Sequence, residues 1–505
     1  MSPLGVDRIC VIVGRTRHKM MMVELEEAVK RGAKFLELRL DFLSKAIDFK
    51  RLLPLKKCPW VATLRRREDG GRWIGTEVER KVIIRQAIVS GFDWVDLEAD
   101  IANEIPRFSN VRRIVSYHNL NETPADLEKI YERMCQQDAD VVKLAVTAQS
   151  PVDNIRIFDI LKSAKKPTIG HCMGDLGFPS RILSLKYGAP FTYAAFNKER
   201  GIAPGLPSLD ELRRHYHLDS VDANTQVFGV IGDPVAHSFS PLLHNEMFRA
   251  NGINAVYLPI RIPRGELQTT LNAFEAIPIA GYSVTIPHKE GAAALSKERD
   301  ARAKETGATN TLIRRDGGFY AWNTDYQAAL DSIQSSPPVT EDNVQRPLDH
   351  CTALILGAGG VSRAIAHALH RAGTRIVVCS RTAERAEKLA KEVEGKWFDW
   401  EARHNVDSVI VVNCTPIGMH PNVDESPVHK GFLKPGMLVF DTVYNPESTM
   451  LVKDARARGC IVVTGVEMFI RQAALQYQLF TGQVASLDSM REIMRRALSP
   501  LTALK

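Results

Sequence analysis

Lys143 sits in "DADVVKLAV" with aliphatic residues on both sides. Burial disfavours an ammonium, and a neutral amine in such a place adds to ketones to form an imine. A structural ion pair with Glu37 is the bland alternative. His118 ends the run "RRIVSYH", where a general base belongs. Arg65 and Arg181 are cations suited to a substrate carboxylate. Glu37, Arg39 and Asp41 close "FLELRLD". "GHCMG" (170–174) imitates a nucleophile elbow, but Cys172 ends an apolar run and no acyl-transfer partners accompany it, so that reading is rejected.

A second group of residues handles phosphate. In "ILGAGGVSRA" (355–364) an apolar run turns into a helical pattern through glycines. Gly357 allows the tight turn, and Gly359 lets backbone approach a pyrophosphate at the helix N-terminus. The third fingerprint position is Ser362 rather than glycine, and a tight turn that binds nothing is the alternative. The following run, "RIVVCSRT", ends in Ser380, Arg381 and Thr382, with Arg385 one turn on. No carboxylate stands there to take a free ribose hydroxyl, whereas a guanidinium and hydroxyls bind a 2′-phosphate. NADP(H) is therefore the expected cofactor, with no metal. Upstream, "GDPVAHSFSPLLHN" carries Ser238 and Ser240 on a loop entering a helix, where they could equally be caps. "GYSVTIPHK" places Lys289 after a strand and a proline turn. "GATNTL" and "WNTD" supply Asn310 and Asp325. Lys289 and Asp325 could pair as a proton donor and its orienting carboxylate, or as a surface ion pair.

These residues need a scaffold. Eight apolar runs in the first two hundred residues alternate with helical spacing: "CVIVG", "FLELRLD", "WVATLR", "FDWVDLEAD", "RRIVSYH", "ADVVKLAV", "PTIGHCMG" and "FTYAAF". That rhythm predicts a (β/α)8 TIM barrel over 1–215, whose chemistry lies at the C-terminal strand ends. A polar linker is expected at 215–226. A two-lobed α/β unit follows, with a lobe at 226–335 plus 473–505 and a Rossmann-like nucleotide lobe at 348–472. The Pro-rich stretch 335–347 reads as a flexible excursion. The helix at about 466–481 and the tail to 505 are expected to pack back on the region 226–335. The 505 residues are too many for one ordinary domain. A net charge of +7 is mild for this length, so anionic small molecules fit better than nucleic acid. No apolar run approaches a membrane span. The eight cysteines are scattered without paired spacing, which points to reduced thiols in a cytoplasm.

"FLELRLD", "SYHNLNETP", "DADVVKLAV" and "MGDLGFPSRILS" resemble type I 3-dehydroquinate dehydratase over residues 8–213. The resemblance implies Lys143 as the Schiff-base lysine, His118 as acid/base and Arg181 as carboxylate clamp, with Glu37, Arg39 and Arg65 lining the pocket. Two departures stand out. The family closes its site with a loop of the type S/T-A-P-G-Q, but here "GIAPGLP" puts Ile202 and Leu206 at the polar positions. Asp69, beside Glu68, replaces the usual Glu before a glycine pair.

Residues 226–505 resemble shikimate dehydrogenase through "GAGGVSRA", "SRT", "NCTPIGM", "FDTVYNP" and "GVEMFIRQAALQYQLFTG". That likeness implies a shikimate site of Ser238, Ser240, Asn310, Asp325, Tyr444, Gln472 and Gln476, with Lys289 as catalytic acid/base. It implies an NADP site of Gly357, Ala358, Gly359, Gly360, Val361, Ser380, Arg381, Thr382, Arg385, Thr415 and Gly465. Ser283 stands where many members carry Asn, and both this feature and the order of the halves are similar to the plant bifunctional enzymes. The implied small molecules are 3-dehydroquinate, 3-dehydroshikimate and shikimate, with no nucleic acid or membrane partner. A quinate/shikimate dehydrogenase with an impaired barrel, or a non-catalytic regulator of quinate use, are the alternatives on the same folds.

Overall fold

A computed structural model describes residues 2–499 except 109, 201, 237 and 341. The chain forms two compact units, residues 1–229 with 235–279, and residues 230–234 with 280–505. Gly201 of the expected lid and the tail 500–505 lie outside the described residues.

The first unit is built on eight parallel strands: β1 Ile9–Val13, β2 Leu36–Arg39, β3 Trp60–Thr63, β4 Trp94–Glu98, β5 Arg112–His118, β6 Val141–Thr147, β7 Thr168–Met173 and β8 Thr192–Ala195. Their order is β7-β6-β5-β4-β3-β2-β1-β8, with parallel pairing along the ladder. This is the barrel the strand–helix rhythm predicts. Most of its strands are buried along their length and therefore read as continuous apolar runs. Cys10, Ile12, Phe35, Val61, Trp94, Ile114, Val141, Ile169, Phe191 and Tyr193 fill the interior as one cluster. Alternation along the strands then fixes which residues come next on the same inward face: Glu37, Asp96, Ser116, Lys143 and His171. Outside, Thr76 caps the helix Glu77–Ser90 with a reciprocal Glu79 contact, and Gly91 ends that helix with φ 114°.

The polar stretch 215–226 is not loose, because Leu218 and Val221 are buried. Residues 235–279 add the helix Ser240–Ala250 and the strand Ala255–Arg261 to this unit. Asn245 joins them: its Nδ2 donates to the Tyr257 carbonyl, and its Oδ1 accepts from the Tyr257 N–H, both at 2.8 Å. Ser150 Oγ donates to Glu266 at 3.1 Å.

The second unit contains six parallel strands in the order Lys396–Asp399, Arg375–Ser380, Thr352–Leu356, Ile410–Asn413, Leu438–Asp441, Ile461–Val463. Numbered along the chain this is 3-2-1-4-5-6, the doubly wound order whose ligand crevice lies between the first and fourth strands. Apolar clusters cover both faces of the sheet. An antiparallel set, Ile279–Val284 against Thr311–Arg315 and that against Gly318–Trp322, carries the residues that precede Lys289 and Asp325. The helix Gly465–Thr481 packs along the helix Thr324–Gln334. A further helix, Leu487–Leu498, follows it and is tied back by Arg491 to Glu467 at 2.8 Å. The stretch 335–347 is pinned by the Val339 N–H, which donates to the Gly436 carbonyl at 2.9 Å.

Gly465 begins its helix so close to the preceding turn that a Cβ there would lie 2.4 Å from the Val443 carbonyl oxygen. Overpacking of this kind costs about 1–3 kcal/mol. Gly465→Ala should lower the thermal midpoint of the chain by several degrees in calorimetry; an unchanged midpoint would show that the turn yields freely.

Candidate functional site

In the barrel, Lys143 Nζ lies 3.0 Å from Asp96 Oδ2 and 3.7 Å from Glu37 Oε2, and 4.2 Å above the Tyr193 ring. The partner weighed from sequence, Glu37, is thus the more distant of two carboxylates. Asp96 also meets Arg65 at 2.8 Å and accepts from Ser116 Oγ at 2.5 Å. Burial opposes its charge, but Arg65 and Lys143 outweigh that and hold the Asp96 carboxyl far below the ordinary range. Arg65 also donates to Glu98 at 3.0 Å and to Ser116 Oγ at 2.9 Å. Arg80 reaches the other Glu98 oxygen at 2.7 Å. Arg39 is locked to Asp41 by a two-point contact at 2.9 and 2.8 Å.

His118 is partly exposed, at the C-terminal end of β5, and its Nδ1 has no hydrogen-bond partner. Burial, then Arg65 and Lys143, push its basicity well below the ordinary imidazole range. Arg181 is buried; its Nη2 donates to the Pro204 carbonyl at 3.1 Å, and its Nε has no partner. Burial pulls this unpaired guanidinium down to about 10. Ile202 and Leu206 are partly buried against the apolar interior of the barrel. Asp69 pairs with Arg66 at 2.7 Å. Burial drives the Cys172 thiol up to about 12, which leaves no reactive thiolate in "GHCMG".

In the second unit, Lys289 opens the helix Lys289–Leu295, and its Nζ donates to Asp325 Oδ2 at 2.5 Å. Asn323 caps the helix Thr324–Gln334, which puts Asp325 in the first turn. Asn310 Nδ2 donates to Asp325 Oδ1 at 2.9 Å and to Thr324 Oγ1 at 2.8 Å, and lies 3.3 Å from Gln472 Oε1. Gln476 Nε2 donates to the Asn310 carbonyl at 2.9 Å and to Thr311 Oγ1 at 3.0 Å, while its Oε1 accepts from Ser283 at 2.7 Å. Tyr444 stacks on Phe469 with ring centroids 4.9 Å apart. Ser238 and Ser240 belong to the first unit, where the Ser240 N–H donates to Ser238 Oγ at 3.2 Å.

The nucleotide turn has the shape its glycines suggest. Gly357 adopts φ 109°, and a Cβ there would lie 3.1 Å from the Cys414 carbonyl. A Cβ at Gly359 would meet nothing within 4 Å, so the approach to the helix N-terminus is open. Ser362 Oγ accepts from the Gly359 N–H at 3.1 Å, closing the cap that a third glycine would leave bare. Gly360 abuts the Lys289 side chain, 3.1 Å from its Cδ to a would-be Cβ, and Ala358 and Val361 pack against the sheet's apolar cluster. Thr415 is set at the fourth strand's end by Asn413 at 2.7 Å. Arg381, Thr382 and Arg385 are exposed at the end of the second strand, with Ser380 half-buried beside them. A glycine cradle at the switch point, next to two exposed guanidiniums, fits a dinucleotide carrying a 2′-phosphate.

Sequence reasoning missed Asp96, Glu98, Ser116 and His171. The signal was there: Trp94, Asp96 and Glu98 share one face of β4, as Ile114, Ser116 and His118 share one face of β5.

Residues 9–223 match the type I 3-dehydroquinase family. Residues 230–312 match the shikimate dehydrogenase substrate binding domain, 339–415 the shikimate/quinate 5-dehydrogenase family and 465–495 the shikimate 5′-dehydrogenase C-terminal domain. The chain is 36% identical over 509 residues to the chloroplastic bifunctional 3-dehydroquinate dehydratase/shikimate dehydrogenase of Arabidopsis thaliana, covering 97% of this chain and 84% of that one. It is 37% identical over 282 residues to the NADP(+) shikimate dehydrogenase of Bacillus cytotoxicus, which spans 54% of this chain and 99% of that one. A shikimate dehydrogenase crystallised with NADP+ aligns with a TM-score of 0.50 at 33% identity, over 55% of this chain and 98% of that one. Among the described residues no helix is long and apolar enough to cross a membrane.

His118 should stay neutral below the pH at which an ordinary imidazole, near about 6.5, takes up its proton. NMR of the His118 ring protons should give a midpoint well under that value; one at or above it would contradict the placement of Arg65 and Lys143 beside the ring.

Proposed function

The chain belongs to the bifunctional 3-dehydroquinate dehydratase/shikimate dehydrogenase family, and from that membership we propose which of its residues perform each step. The barrel dehydrates 3-dehydroquinate, and the second half reduces 3-dehydroshikimate to shikimate with NADPH. Residues 1–215 are the dehydratase, 226–335 with 473–505 hold shikimate, and 348–472 hold the dinucleotide.

The contact of Lys143 with Asp96 supports the dehydratase assignment best, because it fixes the lysine on an inward strand face of the barrel, where its amine, once deprotonated, can attack a ketone. The Lys143 amine adds to the substrate ketone, and loss of water leaves an iminium. The iminium withdraws electrons and acidifies the neighbouring carbon. Neutral His118 removes that proton to leave an enamine, whose electron pair expels the hydroxyl on the next carbon as water with the proton His118 gives back; a water then hydrolyses the product iminium, releasing 3-dehydroshikimate and freeing the Lys143 amine. Arg181, buried without a carboxylate partner, receives the substrate carboxylate. Glu37, Arg39 and Arg65 line the pocket, with Arg65 and Arg39 already held by Asp96 and Asp41.

Bound at the glycine turn, NADPH supplies hydride to the ketone carbon. Lys289 gives the ketone oxygen a proton, and Asp325, fixed by Asn310, keeps the ammonium aimed. Ser238, Ser240, Asn310, Asp325, Tyr444, Gln472 and Gln476 hold shikimate. Gly357, Ala358, Gly359, Gly360, Val361, Thr415 and Gly465 cradle the dinucleotide, and Ser380, Arg381, Thr382 and Arg385 take its 2′-phosphate. The eight free cysteines support a reducing compartment such as the cytoplasm, whereas the Arabidopsis relative is chloroplastic.

Borohydride added with 3-dehydroquinate should trap an adduct on Lys143, because an iminium is reducible and an ion pair is not. Mass spectrometry that finds the adduct on another lysine, or none, would refute the assignment. Arg381→Asp places a carboxylate where the 2′-phosphate belongs. Charge-assisted contacts are worth about 1.5–3 kcal/mol each, so the change should remove a ten- to hundredfold preference for NADPH, chiefly through its KM. Dehydration should be untouched. Equal use of NADH and NADPH by the unmutated chain would show that the strand end has another purpose.

A further inference from the structure

His171 has no part in the steps above, yet its position is specific. Strand pairing sets His118 opposite Ala145, and Ala145 opposite His171. The two imidazoles therefore occupy one rung, on the strands either side of the one that carries Lys143. Lys143 lies two residues before Ala145 and so faces the same interior, one rung below. His171 is 6% exposed, and its ring stands 6.3 Å from that of Tyr193, over whose face the Lys143 ammonium lies. Among the described residues neither of its ring nitrogens has a hydrogen-bond partner in the protein. Burial, then Arg181 and Lys143, hold the ring neutral, so it offers one N–H donor and one acceptor.

Unbonded within the protein yet not enclosed, the two nitrogens present a donor and an acceptor to space that a ligand can enter. The lid does not engage them, because Ile202 and Leu206 carry no hydrogen-bonding side-chain atoms. A polyhydroxylated ring bound between Arg181 and Lys143 would bring hydroxyls that need partners of their own. We propose that His171 is a substrate-contacting residue of the barrel that hydrogen-bonds a ring hydroxyl of 3-dehydroquinate from the strand on the other side of Lys143 from His118. This rests on the dehydratase reading above and adds a specificity-determining contact to it.

The test is calorimetric binding of 3-dehydroquinate, without NADPH, to full-length Lys143→Met protein, which cannot turn the ligand over. His171→Leu in that background should weaken binding about fivefold, the worth of one neutral hydrogen bond. His171→Gln, which keeps a donor and an acceptor, should recover most of the loss. Binding unchanged in His171→Leu overturns the proposal. So does a His171→Gln protein as weak as the leucine variant, since that means the ring only fills space. Should the leucine variant fail to fold, His171→Phe, which keeps a ring without nitrogens, takes its place with the same expected loss. Borohydride trapping on Lys143 in the otherwise native His171→Gln chain is read separately. A missing adduct there and in the unmutated chain refutes the lysine assignment, while the binding constants still decide for or against His171.

Discussion

Charges placed inside a barrel have to be compensated there, and the mouth of this one is arranged by that requirement. An isolated buried ion is far more costly than a pair whose remaining hydrogen bonds are also met. Lys143, Arg65 and Arg80 enter from three different elements, and one strand answers them: Asp96 takes Lys143 and Arg65, and Glu98 takes Arg65 and Arg80. Ser116 fills a remaining place on Asp96. The set is nearly complete within the protein. What it leaves out is Arg181, whose Nε is unpaired and which, among the described residues, hydrogen-bonds a neutral carbonyl rather than a carboxylate. The uncompensated positive charge therefore stands where an anionic ligand can satisfy it, and the neighbouring imidazoles are kept neutral by burial first and then by nearby cations, Arg65 and Lys143 for His118 and Arg181 and Lys143 for His171.

In the second unit one amide does comparable work. Asn310 gathers Asp325, Thr324 and Gln472 through its Nδ2, and its carbonyl takes Gln476. Asp325 in turn holds Lys289. Lys289 packs against Gly360, the first residue of the nucleotide-binding helix. A larger residue at 360 would press directly on the lysine. The turn proposed to take the pyrophosphate and the side chain proposed to deliver a proton thus meet in a single packing contact, which suits glycine even though nothing in its φ demands it.

How legible this was depended on what each residue's neighbours reveal. The eight barrel strands are readable because burial on both faces makes each one a short apolar run between helical patterns. Lys143, His118 and Glu37 are readable as polar residues breaking or ending such runs. Asp96, Ser116 and His171 sit just as deep and share a strand face with Trp94, Ile114 and Ile169, but that they gather around Lys143 emerges only once adjacent strands are in register, and a single sequence carries no register. The helix Leu487–Leu498 was hidden for the opposite reason: only Met490 and Met494 are buried, so "SLDSMREIMRR" reads as a polar tail. The stretches 215–226 and 335–347 look like linkers by composition, yet Leu218, Val221 and Val339 anchor them, and a few anchoring residues are invisible to an average. The Lys289–Asp325 pairing was readable because both residues follow strong local turn signals.

The lid shows how backbone and side chain can part company. Pro204 is held by Arg181 and by the Gly174 N–H, which donates to its carbonyl at 3.3 Å. Gly205 has φ 66°, and a Cβ there would come within 2.8 Å of the Gly174 carbonyl oxygen, so the turn fits only as glycine and only in this place. None of these contacts involves the side chains of 202 or 206. Ile202 and Leu206 add apolar packing against the barrel interior in place of side-chain hydrogen bonds. The two side chains offer no hydrogen bonds, while the charge set around Asp96 and Glu98 is held by its own ion pairs. Backbone contacts thus place the segment, and the ion pairs that hold Lys143 and Arg65 do not run through its side chains.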